Sequence, residues 1–143
     1  MKIHIKRFDK DLPLPKRQTE GAAAFDLVAR ETITIPPHQV GYAPLNIAVE
    51  TPAEHFLLIA ARSSLHKKGL MMANGIGVGD PDFSGNEDEY KAALLNFTDK
   101  PIIVERGDRI AQGMFVKFVP SEWDEVDELK NKTRGGFGST GSK

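Results

Sequence analysis

A chain of 143 residues has room for one domain core, and nineteen Lys plus Arg against twenty Asp plus Glu leave a formal net charge of -1. No overall positive field is available to hold nucleic acid by its phosphates. With no cysteine and only four scattered histidines, disulfides, thiolate zinc sites, cysteine nucleophiles and His-based metal sites are all disfavoured. The opening residues MKIHIKRFDKDLPLPKR lack an apolar core of signal-peptide length, and no stretch approaches the roughly 18 apolar residues of a membrane span. A soluble, cytoplasmic protein is expected.

Thirteen Gly and nine Pro separate short β-branched runs, the pattern of an all-β sandwich or barrel. In chain order the predicted strands are Lys2 to Phe8, Phe25 to Val28, Thr32 to Ile35, Val40 to Glu50, Phe56 to Ala61, Leu70 to Ala73, Lys91 to Phe97, Ile102 to Val104 and Met114 to Phe118. Pro36-Pro37-His38 and Thr51 to Glu54 read as connectors, and Arg62 to Gly69 has room for one helical turn at most. After Val119 an acidic stretch gives way to a strip of Gly, Ser and Thr with a single Phe. Such a strip cannot bury enough apolar surface to fold alone. The expected division is a β core over 1–119 and a linker with a mobile arm over 120–143.

Four segments hold residue types suited to chemistry. Arg62-Ser63-Ser64 follows an apolar strand and would bring a guanidinium, two hydroxyls and free amides to a turn, a corner suited to an anion; the plain alternative is an exposed polar turn. Asn74 to Gly85 alternates Gly with apolar residues, which predicts a hairpin whose backbone a flat ligand could approach closely. In it Asp80 and Asp82 are candidate general bases, or else caps of the turn around Pro81. In Glu105 to Val116 the strand is expected to begin at Gln112, which could donate to a phosphate, while Asp108 and Arg109 could equally form a solvated pair. Arg134 to Gly141 combines a cation, hydroxyls, free amides and Phe137, so it could close over a nucleotide or be a plain Gly/Ser tail.

Together, in this order, these segments and Ala24-Phe25-Asp26-Leu27-Val28-Ala29 resemble the five motifs of the trimeric dUTPases (deoxyuridine triphosphate nucleotidohydrolases). Ala24 to Ala29 is similar to the first, Ala61 to Leu65 to the second, Asn74 to Gly85 to the third, Arg106 to Gln112 to the fourth and Arg134 to Gly141 to the fifth. The resemblance implies a jelly-roll-like β subunit in a homotrimer with active sites at subunit interfaces, each closed by a C-terminal arm. It implies hydrolysis of dUTP to dUMP and pyrophosphate by water attacking the α-phosphorus. Carried over by position, Asp80 is the base. Asn74 and the backbone of Gly75, Gly77 and Val78 read the uracil, and Phe83 packs beneath the deoxyribose. Arg62, Ser63, Ser64 and Gln112 hold phosphates. From the arm, Arg134, Gly138, Ser139 and Thr140 grip the distal phosphate end while Phe137 covers the base. Mg2+ is expected on the triphosphate and its waters, with Asp26 in the outer shell and no direct protein ligand.

The chain departs from the family pattern in four places. Gly79 stands where Ile commonly precedes the Asp, Phe83 replaces Tyr, Asn86 to Tyr90 lengthens the link to the next strand, and Arg134 stands two residues nearer Phe137 than usual. Lys130 or Lys132 is an alternative to Arg134 in its role. Two competing readings share the fold: a dCTP deaminase, which would need a Glu where Ala93 stands, and a nucleotide-binding module without turnover.

Overall fold

Burial alternates along the strands. In Lys91–Asn96 the side chains of Ala92, Leu94 and Asn96 turn inward and those between them face outward, the period of two that a pleated chain imposes. The computed structural model describes all 143 residues. Its strands are β1 (Ile5–Arg7), β2 (Phe25–Val28), β3 (Ile33–Ile35), β4 (Val40–Pro44), β5 (Ile47–Val49), β6 (His55–Ala61), β7 (Leu70–Met72), β8 (Gly77–Gly79), β9 (Lys91–Asn96), β10 (Ile102–Val104) and β11 (Arg109–Lys117), with a single 3-10 turn at Leu65–Lys68. No helix is long and apolar enough to cross a membrane.

The strands form antiparallel sheets of order β2-β11-β6-β8 and β4-β9-β7, with smaller pairs β1-β5 and β3-β10. This is the jelly-roll β architecture expected from the sequence. One cluster of 18 buried residues, including Leu27, Leu57, Leu94 and Ile110, is shared by the sheets. Truncating one of the fully buried leucines to Ala would cost about 2–5 kcal/mol.

Three local expectations change. The run Val40 to Glu50 is broken at Leu45-Asn46, where Asn46 adopts φ 69°, and its halves join different sheets. Asn46 holds that left-handed turn through its side chain, which donates to Asp9 O at 3.0 Å and accepts from Asp9 N at 2.7 Å. The last strand begins at Arg109, not at Gln112 or Met114, because a bulge between Arg109 and Ala111 extends the pairing. The bulge turns both Ile110 and Ala111 into the core and leaves Arg109 outside. Finally, Asn74 to Gly85 is not a hairpin: β7 pairs with β9 while β8 pairs with β6. The turn at Asn74–Ile76 thus carries the chain from one sheet to the other.

Candidate active site

At the C-terminal end of β6 the chain turns sharply, Leu65 N donating to Arg62 O at 3.0 Å. The amides and hydroxyls of Ser63 and Ser64 donate to nothing in the chain, so donors are left facing out, as the sequence implied. Arg62 is fixed on one side: Nε donates to Asp26 Oδ1 at 3.0 Å and Nη1 to Arg109 O at 3.1 Å. Asp26 Oδ2 accepts from Arg109 Nη1 at 3.0 Å. Gln112, level with Asp26 on β2 and Ala60 on β6, donates from Nε2 to Ala61 O at 2.9 Å. Two guanidiniums, one carboxylate, two free hydroxyls and free amides therefore gather at one end of the sheet. That end has a net positive charge and is shaped for an anion.

The Asp108–Arg109 pair that the sequence left open as an alternative is not formed. Asp108 accepts instead from Glu105 N, and Arg109 reaches diagonally across the ladder to Asp26. The signal was present in the motif, but only the bulge and the β2–β11 register show where the side chain goes.

The other end of the sheet has different chemistry. Strand β8 is an edge, so alternate main-chain groups of Gly77–Gly79 have no strand to pair with, and Gly75 takes φ 73° at the exposed turn before it. Asp80 follows directly. Its carbonyl closes the turn by accepting from Phe83 N at 3.1 Å, while no hydrogen bond or ion pair engages the Asp80 or Asp82 carboxylate. The turn is closed by backbone and not by these side chains, which answers the capping alternative. A groove of about 800 Å³ opens here, with Asn74, Gly77, Val78, Asp80, Phe83, Tyr90 and Ala93 in its wall. Ala93, where a deaminase would need Glu, brings no carboxylate to it.

The space that a side chain at position 79 would fill is taken by Tyr90. An ideal Cβ on Gly79 would lie 2.3 Å from Tyr90 Oη and 2.5 Å from its Cε1. Tyr90 is only 6% exposed. Burial pushes its phenol above the ordinary range; the Asp80 and Asp88 carboxylates add to this, while Thr51 opposes it. Neither Tyr90 Oη nor Thr51 Oγ1 makes a hydrogen bond of normal geometry.

The two ends are far apart. The register places Leu57 opposite Gly79 and Arg62 just past the other end of β6, so the separation along the strand is roughly 17 Å at about 3.3 Å per residue. In a single chain the structure brings Arg62, Ser63, Ser64, Gln112 and Asp26 together; Asn74, Gly77, Val78, Asp80 and Phe83 line the groove, with Asp80 and Phe83 beyond the far end of β8 and Gly75 in the turn at its Arg62 end. It brings neither group to the arm. All residues from Val119 to Lys143 are exposed, Phe137 and Trp123 fully so.

Residues 10–141 match the dUTPase family model. The chain belongs to the dUTPase family. The deoxyuridine 5'-triphosphate nucleotidohydrolase of Helicobacter pylori strain P12 is 40% identical over 144 residues, covering 99% of this chain and 97% of that one. The enzyme of the same name from Lactococcus lactis is 38% identical over 90% of this chain and 88% of its own. Among solved structures, the dUTPase of Streptococcus mutans superposes with a TM-score of 0.75 at 31% identity, over 83% of this chain and 98% of that one. A dUTPase of Staphylococcus bacteriophage 80alpha solved with dUPNHPP has a TM-score of 0.85 at 22% identity over 99% of each chain, a likeness of fold.

Enzymes of the dUTPase family use a divalent metal. Nowhere in this chain do three His, Asp or Glu side chains gather as a metal site. The donor set fits an ion that arrives on a triphosphate, with Asp26 as the single carboxylate among the anion-binding groups.

Proposed function

We infer that this chain carries out its family's reaction, hydrolysis of dUTP to dUMP and pyrophosphate, with Asp80 as the base that takes a proton from the attacking water. One observation supports this above all: in a dUTPase chain, the Asp80 carboxylate is held free at the end of an unpaired glycine edge, beside Phe83 and a groove. Asn74 and the backbone of Gly75, Gly77 and Val78 read the uracil edge, and Phe83 lies beneath the deoxyribose. Arg62, Ser63, Ser64 and Gln112 hold phosphates, with Asp26 and Arg109 fixing the Arg62 fork. Positioning and charge stabilisation supply most of the catalysis of phosphoryl transfer.

The ion is Mg2+, reached from the protein through water and Asp26; when bound it would offset triphosphate charge.

A base must stand within hydrogen-bond reach of its water, whereas Asp80 and Arg62 of one chain are separated by more than a triphosphate's length. A complete site therefore joins the Asp80 end of one subunit to the Arg62 end of another. A homotrimer with three such sites accommodates this, and the exposed arm, residues 120–143, completes each site by crossing to a neighbour. There Arg134, Gly138, Ser139 and Thr140 hold the phosphate end and Phe137 covers the base, with Lys130 or Lys132 as the alternative cation. The product dUMP feeds dTMP synthesis, and removal of dUTP limits uracil in DNA, both in the cytoplasm.

Pyrophosphate release from dUTP, dTTP, dCTP and UTP, each with Mg2+ and with chelator, tests the assignment. Release from dUTP alone, lost with chelator, is expected. Binding of dUTP without release would leave a nucleotide-binding module, and ammonia release from dCTP would mark a deaminase.

A further inference from the structure

Phe83 projects from a surface turn closed by one backbone hydrogen bond and is 39% exposed. An aromatic ring so placed is only as rigid as what supports it. The ring packed against it is Tyr90, edge-on at 5.0 Å between centroids and 75° between planes, a favourable aromatic geometry. Tyr90 is held from behind by the main chain: its N donates to Ile47 O at 3.0 Å, and its carbonyl accepts from Leu45 N at 2.8 Å. It can occupy this seat because Gly79 has no side chain. Two departures from the family pattern, the Gly before Asp80 and the added stretch ending at Tyr90, therefore fit one another.

On the reading that Phe83 lies beneath the deoxyribose, we propose that Tyr90 is a positioning residue for sugar discrimination. Its ring fills the place vacated at Gly79 and backs Phe83, so that the wall excluding a 2'-hydroxyl cannot retreat. Exclusion of one small group by a pocket that can relax is weak, and a rigid wall makes it strong. Tyr90 Oη makes no hydrogen bond in the chain, so the contact that backs Phe83 is the ring's.

The test compares kcat/KM for dUTP and UTP in the wild type, Tyr90→Phe, Tyr90→Leu, Gly79→Ala and the double variant Gly79→Ala/Tyr90→Leu. Tyr90→Leu is expected to narrow the dUTP/UTP ratio about tenfold, mainly by improving UTP, with kcat for dUTP retained. Gly79→Ala, which deletes nothing but displaces the Tyr90 ring, should narrow it likewise, and the double variant should recover part of the ratio. Tyr90→Phe should keep it. An unchanged ratio in both single variants would overturn the role, as would a Tyr90→Phe effect equal to that of Tyr90→Leu. If Tyr90→Leu does not fold, Gly79→Ala against wild type decides alone. Failure of the wild type to hydrolyse dUTP would instead overturn the assignment of activity, so the two failures are distinct.

Discussion

The Asp26 carboxylate accepts from Arg62 Nε and from Arg109 Nη1, each at 3.0 Å. Asp26 is 13% exposed and its two partners 23% and 47%, so the bonds are partly shielded from water. The carboxylate's first consequence is geometric, because it fixes two guanidiniums at the end of β6 from which the Ser63–Ser64 turn departs.

Asp26→Asn should therefore weaken both stability and catalysis. Hydrogen bonds to a charged group are worth about 1.5–3 kcal/mol each when shielded, and partial exposure lowers the total to about 1–2 kcal/mol. Thermal unfolding measures that part. Loss of orientation at Arg62 should reduce kcat/KM for dUTP by roughly tenfold to a hundredfold, visible as a higher KM.

Asp80→Asn removes the base and retains the shape. Turnover should fall by about 10²- to 10⁴-fold while dUTP affinity, followed by calorimetry, stays within about tenfold. Undiminished turnover would remove Asp80 from the role.

Because Asp80 and Arg62 mark opposite ends of β6, two inactive variants should complement each other. After Asp80→Asn and Arg62→Ala chains are unfolded and refolded together in equal amounts, about a quarter of the shared sites would combine two intact halves. Activity should reappear in the mixture and in neither parent. A site contained within one chain predicts no recovery.

Deleting Arg134 to Lys143 removes only residues that are exposed in this chain. The thermal midpoint should stay the same while turnover drops steeply, since arm closure excludes water and supplies phosphate donors. An unchanged rate would make the arm a simple tail.

Alkaline stability reports on Tyr90. Burial raises its phenol above the ordinary value of 10.0, so the folded chain keeps this proton where the unfolded chain has released it. Its contribution is fully present below about pH 10 and is lost as pH rises from there toward the folded value. Urea unfolding at several pH values should show a flatter alkaline limb in Tyr90→Phe than in the wild type.

The sequence by itself determined the all-β class and most strand positions, and it set apart the tail, whose residues are all exposed. These follow from local rules: short apolar and β-branched runs between Gly and Pro, turn residues around Pro81, and the single large apolar residue, Phe137, after Leu129. Tertiary structure alone decided that β8 pairs with β6 and not β7, that the bulge at Ile110 sends Arg109 to Asp26, and that Tyr90 fills the space at Gly79. Each of these depends on strand order and register, set by contacts between residues distant in the chain. A pattern of neighbours along the sequence carries no record of which edges meet. For the same reason the resemblance could imply sites at subunit interfaces, while the register of β6 and β8 is what sets Asp80 and Arg62 at opposite ends of β6 within one chain.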